Sequence, residues 1–278
     1  MNTTSGRASA GRHERGRARS DTAAVISLAS WLRAIREQHH GLTRRQAAPV
    51  IGVGVDYLKN IEYGTRPSQE RLEDLIKGYR LDCSQARLTW DLWRPSMPLP
   101  PVAQLRERIA TPDRREFLAR LDQSGIAIAY LDPLWNILAA NETFYKALPG
   151  AGLSTGGNFA AWALPPEPQE SPIAPLLVDP DREAQFLVGM LRGGFARYRR
   201  SPQVCSLYAQ LSRNPAFERY WHTTVHVAYG RCLKHPQLHL RDPETGQPYT
   251  LDLQITELTD FPEVRGFVAW PPPQLKTP

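Results

Sequence analysis

The chain has 278 residues, a length that at roughly 100–200 residues per domain fits two domains or one large one. With 41% hydrophobic and 22% charged residues it can bury a real core, and it contains no run of about 18 apolar residues, which excludes a membrane-spanning helix. The net charge of +6 is unevenly placed: residues 1–94 hold 16 Lys+Arg against 10 Asp+Glu, residues 95–278 hold 18 against 18, and this asymmetry points to nucleic-acid binding at the N-terminal end.

Residues 1–20 carry five Arg against one Glu and no large apolar residue after Met1, the composition of a disordered basic tail. No apolar stretch follows the positive charge, so no secretory signal is expected. Cys83, Cys205 and Cys232 are scattered without a CxxC pair, which argues against a disulfide framework or a Cys-based zinc site and makes a reducing cytoplasm the expected compartment. The pattern turns helical from about Asp21, with Leu28, Leu32 and Ile35 on one face and a stop near Gly41. Thr43 is an N-cap for a second helix, Arg44 to Ile51, in which Pro49 is expected to cause a kink or an early end. After the tight turn Gly52-Val53, a third helix runs from Val55 to Tyr63 with Leu58 and Ile61 facing inward and Gly64 closing it. Ser68 caps a fourth, with apolar face Leu72, Leu75, Ile76 and Tyr79, and a fifth runs from Ser84 to about Trp93. Four prolines between Arg94 and Pro101 predict an extended, semi-rigid linker.

Beyond the linker both periodicities occur. Ile126–Leu131 and Trp135–Ala139 read as strands joined across Asp132-Pro133. Thr111-Pro112, Asp179-Pro180, Ser201-Pro202 and Asn214-Pro215 each pair an N-cap residue with Pro at the first helical position. The helix from Pro180 has an apolar face of Ala184, Leu187, Leu191 and Phe195, and Gly193-Gly194 is expected to weaken its far end. Thr224–Tyr229, Gln237–Arg241, Tyr249–Glu257 and Arg265–Trp270 read as further strands, with a strong turn at Asp242–Gly246. The chain thus divides into a tail (1–20), an all-α domain of about five helices (21–93), a linker (94–101), an α+β domain with a mostly antiparallel sheet (102–272) and a short tail (273–278). His222/His226 and His235/His239 have zinc-like spacing but fall in expected strand or hairpin, and no HExxH, P-loop, GxGxxG or GxSxG occurs. No catalysis, metal site or cofactor is therefore expected.

Leu42-Thr43, Ala48, Ile51-Gly52-Val53, Leu58, Ile61-Glu62, Gly64 and Pro67-Ser68 resemble the helix-turn-helix of the Cro/repressor (XRE) type. Small Ala48 allows a close helix crossing, Gly52 makes the sharp turn, and the third helix is left free to enter a major groove. Asp56, Tyr57, Lys59 and Asn60 are expected to point outward, Asn60 toward adenine edges and Lys59 toward guanine or phosphate. Thr43, Arg44 and Arg66 are expected on the phosphate side, Arg44 standing where this family usually has Gln. A helical bundle that docks a protein partner, such as a sigma factor, is the competing reading.

Val55–Gly64 is also similar to the VDYY-x-RLEQG of the MmyB-like transcription regulators. Leu134–Asn141 resembles that family's W-D-x-x-A-x-N, Asn214–Trp221 its S-x-x-F-x-x-x-W helix, and His235-Pro236, Gly246 and Thr250-Leu251 its hairpin, here with a longer turn. The resemblance implies a PAS-like sensor domain for a fatty acid or similar apolar molecule, acting in a homodimer on double-stranded DNA. Expected ligand contacts are Trp135, Phe144, Phe186, Met190, Tyr208, Phe217 and Trp221, with Arg219 for a carboxylate. The same aromatic residues also suit an ordinary core, and a ligand-free domain serving dimerisation or protein contact is the alternative.

Overall fold

The computed structural model describes residues 25–231 and 236–271. The basic tail, Cys232, His235 and residues 273–278 lie outside the described residues.

Five helices open the fold. α1 (Leu28–Ala34) starts at the first residue of its apolar pattern, with Ser27 and Ser30 forming a capping box, and it continues as one π-helical stretch, Ile35–His39. α2 (Arg44–Ile51) is capped by Thr43 with Gln46 returning the bond. Pro49 does not break α2: it is exposed, in a helix only eight residues long that ends at Gly52 (φ 75°). α3 (Val55–Glu62), α4 (Gln69–Gly78) and α5 (Cys83–Trp93) follow, with Ser68 and Asp82 as N-caps of the last two. Leu32, Ile35, Leu58, Ile61, Leu72, Leu75 and Leu88 form the shared interior.

The linker 94–101 is not a free spacer. Met97 donates its N–H to the Arg197 carbonyl (2.9 Å), Gln203 Nε2 donates to the Leu99 carbonyl, and Leu99 is buried. α6 (Val102–Ile109) and α7 (Pro112–Gln123) then lead into β1 (Ala127–Leu131) and β2 (Ile137–Ala140). After α8 (Glu142–Ala147) and α9 (Phe159–Ala163) come α10 (Pro180–Arg197), α11 (Pro202–Leu211) and α12 (Pro215–Thr223). The Pro-initiated starts of α7, α10, α11 and α12 fall where the sequence places them, with Thr111, Asp179, Ser201 and Asn214 at the N-caps. β3 (Gln237–Arg241), β4 (Pro248–Glu257) and β5 (Arg265–Trp270) complete a five-stranded, wholly antiparallel sheet of order β2-β1-β5-β4-β3.

Both faces of the sheet are covered, which is why all five residues of β1 are buried. Its alternation sorts them: Ile128 and Tyr130 pack with Leu105, Ile109 and Val264 under α6 and α7, while Ala127, Ala129 and Leu131 join the main core with Phe267 and Leu253. The main core runs without interruption from the helical N-terminal part into this α+β part.

Two sequence expectations change here. Thr224–Tyr229 is extended but is no strand of the sheet. Val225, Val227 and Ala228 are buried, Ala228 donates its N–H to the Gly189 carbonyl, and the segment lies along α10. The glycines of α10 do not weaken it either, since the helix runs 18 residues, through Gly193-Gly194 to Arg197. They make room: a Cβ would stand 2.5 Å from the His226 ring at Gly189, 3.0 Å from the Tyr229 ring at Gly193 and 2.4 Å from the Pro133 carbonyl oxygen at Gly194.

Gly194→Ala sets two effects against each other. Alanine favours the helix by about 1 kcal/mol, but its methyl group meets a backbone atom, and overpacking costs about 1–3 kcal/mol. The variant is expected to lose up to about 2 kcal/mol in urea unfolding; a gain would show that the Asp132–Pro133 turn yields without cost.

Candidate functional site

The recognition element is built around one buried carboxylate. The Glu62 side chain is fully buried at the end of α3. It accepts from Arg36 Nε at 2.6 Å and Arg36 Nη2 at 2.9 Å, and from Arg44 Nε at 2.7 Å. Arg36 also donates to the Leu42 carbonyl and to Glu37. Three helices are thereby locked to one another. Burial pushes the Glu62 carboxyl up, but the hydrogen bonds and charge of Arg36 and Arg44 outweigh this and hold it below its ordinary 4.5.

Asp56, Lys59, Asn60 and Tyr63 are exposed at helical spacing, a single stripe along α3 and its C-cap. Tyr57, expected outward, is half-buried and packs against the core. Thr43 turns its hydroxyl to Gln46, and Arg44 is held by Glu62 while its side chain stays partly exposed. Arg66 lies 4.4 Å over the Trp93 ring. Tyr63 was not expected as a contact. It is 70% exposed with the guanidinium groups of Arg33 and Arg44 about 6 Å from its ring, and exposed Val50 and Val55 add apolar surface to the same element. An unpaired aromatic just before the closing glycine is the signal that marks it in the sequence.

The second feature is an apolar cavity of about 190 Å³ on the inner side of the sheet. Phe159 and Ala163 of α9, the Ile173–Leu177 turn, the first two turns of α10 and the sheet residues Leu238, Leu253, Ile255 and Phe267 enclose it. Of the expected ligand residues it takes Trp135 and Phe186. Trp135 lies not in β2 but in the turn before it, at φ 66°, tilted against Phe159. That turn is wound around buried Asp132, which accepts from the Leu134 and Asn136 N–H groups and from Asn136 Nδ2 and whose carboxyl burial pushes up to about 6.

The other six expected residues lie away from the cavity. Tyr208, Phe217 and Trp221 close on Phe195 in an aromatic cluster where α10, α11 and α12 meet. Phe144 packs edge-on to Phe267, and Met190 is fully buried in the middle of α10. Arg219 is exposed and paired with Asp181. These rings satisfy one another, and the space is left instead where side chains from distant segments meet.

Two buried donors on the cavity wall lack partners among the described residues, Trp135 Nε1 and Arg231 Nε. Arg231 is otherwise engaged: its Nη1 and Nη2 donate to the two Glu183 oxygens at 2.7 and 2.6 Å, and Nη2 also to the Gln237 carbonyl. Among the described residues no group of three or more potential metal ligands occurs; His222 lies on α12, and His239 bonds Thr250. Cys205 is half-buried and free among the described residues.

The α+β part docks directly on α5. Arg87 Nη2 donates to both Glu257 oxygens at 2.6 and 2.7 Å and stacks 3.8 Å over the Tyr229 ring. The Tyr229 hydroxyl donates to Asp91 at 2.9 Å, and Gln38 donates to the His222 carbonyl.

Glu62→Gln removes the buried charge partner of Arg36, leaving it only the exposed Glu37, and is expected to cost about 3 kcal/mol at pH 7. Because the carboxylate binds its proton less readily in the folded chain, that stabilisation is complete above its ordinary 4.5 and is lost as pH falls through the lowered value. Urea unfolding of wild type and variant from pH 7 to pH 3 should show their gap closing on acidification; a constant gap would mean that the charge is not what matters.

A family model for the MmyB-like transcription regulator ligand binding domain matches residues 110–274, more than half of the chain, and a helix-turn-helix model matches residues 32–84. No curated protein matches it. Among the described residues no helix is long and apolar enough to cross a membrane. The N-terminal helices are a DNA-binding unit, the α+β part senses a small molecule, and the chain belongs to the MmyB-like transcription regulators.

Proposed function

We propose that the sensed molecule is a fatty acid or a closely similar acyl compound, and that its binding changes the affinity of a homodimer for two DNA half-sites. The observation that carries this reading is the chemistry of the cavity wall: mostly apolar, with the Arg231–Glu183 ion pair on it and two N–H groups, Trp135 Nε1 and Arg231 Nε, that lack partners among the described residues. An apolar chain with one oxygen-bearing head satisfies both requirements at once. The volume of about 190 Å³ lies below the roughly 300–1,000 Å³ of sites for drug-sized ligands and favours a short or medium chain. Glu183 already neutralises Arg231, so the head meets a donor rather than an unbalanced charge. The competing reading is a ligand-free domain that only dimerises.

Native mass spectrometry of freshly purified protein, with a thermal-shift series from octanoate to palmitate, tests this. A co-purified acyl mass, or stabilisation that peaks at one chain length, is expected; an empty protein that no acid stabilises would leave the dimerisation reading. Trp135→Phe keeps the ring and removes an unpaired donor, so stability is expected to hold while affinity for the acid falls by about 3- to 10-fold, the worth of one neutral hydrogen bond.

For DNA, Asn60→Ala is expected to relax selectivity at one base pair, at about 1–3 kcal/mol. Footprinting on the protein's own upstream region locates the operator, and competition with single-base variants reads the change. Equal losses on operator and random DNA would show that Asn60 reads no base.

A further inference from the structure

We propose that the groove between the helix-turn-helix and the sensor domain is a second DNA contact, which grips the phosphodiester backbone beside the recognition helix and to which the sensor domain itself contributes cations. The groove, of about 1170 Å³, runs from the end of α3 past the α3–α4 loop and along the 94–99 segment to the start of α11. Its wall carries Arg33, Arg66, Arg94, Arg199 and Arg200 against one carboxylate, that of Glu62, which is buried and bound to Arg36 and Arg44.

None of these five arginines is paired with a carboxylate among the described residues. The guanidinium groups of Arg66, Arg94 and Arg199 are held in place by other means. Arg66 stacks on Trp93, which is itself anchored by an N–H bond to the Pro67 carbonyl. Arg94 lies 5.5 Å over Trp90, and Arg199 donates to the carbonyls of Asp91, Ala196 and Arg94. Arg200 is exposed, with its backbone N–H donated to Ser96. Gathering like charges without counter-ions costs free energy unless a polyanion supplies the opposite charge. Stacked guanidinium groups keep their N–H edges available for phosphate oxygens.

Position selects DNA as that polyanion. The groove begins where the exposed stripe of α3 ends, and the strand that borders a major groove passes beside a helix lying in it. The N-terminal segment of this chain is excluded as the occupant: the described chain begins at Val25, beside groove residues Ile26 and Ser27, but residues 1–20 bring five more arginines and one glutamate, the same sign of charge.

The test is fluorescence anisotropy of the full-length protein on a labelled random-sequence 30-base-pair duplex, titrated with KCl. Arg94→Ala and Arg200→Ala replace exposed side chains. Each is expected to lower the slope of log affinity against log salt by about one and to weaken binding by about 5- to 10-fold at 0.1 M salt, and the double variant to lower the slope by about two. Arg241→Ala, an exposed sensor-domain arginine outside the groove, makes the same change in net charge and is expected to leave the slope unchanged. Wild-type binding with unaltered slopes in Arg94→Ala and Arg200→Ala would overturn the groove contact, as would equal effects of all three variants or a change of oligomeric state as their only effect. Failure of the wild type to bind the duplex would count against DNA binding by this chain as a whole, a different result from either.

Discussion

Everything on the inner side of the sheet depends on how closely the chain approaches α10. That helix has no side chain at Gly189, Gly193 or Gly194, and the 224–229 segment and the Pro133 turn settle into the space. The helix can then serve several neighbours at once. Its first turns wall the cavity, its middle packs against α12 and α5, and its C-terminal end receives the linker at the Arg197 carbonyl. Arg192 secures the arrangement from within: it is buried without an acid and donates to the last carbonyls of α12, Tyr220 and Trp221, and to that of His226. Burial alone lowers its proton affinity, to about 10, and the negative end of a helix is a suitable place for such a charge. A small molecule beside the start of α10 therefore touches the same rigid body that meets the DNA-binding helices. It shifts DNA binding only as far as it favours one seating of α10 over another.

Buried charge is used in two ways. In the helix-turn-helix, Glu62 collects two arginines and fixes the relative setting of three short helices, none of which is long enough to be stable alone. At the joint between the two parts, Arg87, Asp91, Tyr229 and Glu257 make a mixed network of ion pair, stacking and hydroxyl bond. Polar contacts of this kind require a particular alignment, because a displaced partner leaves a half-buried charge behind.

Local structure was legible in the sequence wherever one residue type has one physical use. The four Pro-initiated helices, the Gly52 turn, the Thr43 cap and the Asp242–Gly246 turn follow from capping and φ preferences. The approximate places of the five strands along the chain followed from alternation, and the helix-turn-helix from its spacing. The cavity was not legible. Large aromatic residues such as Phe217 and Trp221 drew attention, but they stack on each other at 5.4 Å and fill their own space. The real lining comes from many separated stretches, among them those of Ile173 and Leu238, that no local pattern connects. Thr224–Tyr229 has strand composition yet pairs with no strand, since α10 offers its buried side chains a surface that the sheet does not. Gly193-Gly194 looked like a weakness because the value of a missing side chain appears only when the neighbour is known.

The joint between the two parts also bears on how the protein is made. Arg87 leaves the ribosome 170 residues before its partner Glu257, an interval of about 10–30 s at ordinary rates of synthesis. Throughout it, the face of α5 that will carry Arg87, Asp91 and Gln85 is without its cover. The Glu62 network of the DNA-reading helices is complete by residue 62, whereas the outer face of α5 waits for residues far along the chain. A nascent chain cut short before β4 lacks Glu257, so α5 would carry Arg87 without its acid partner.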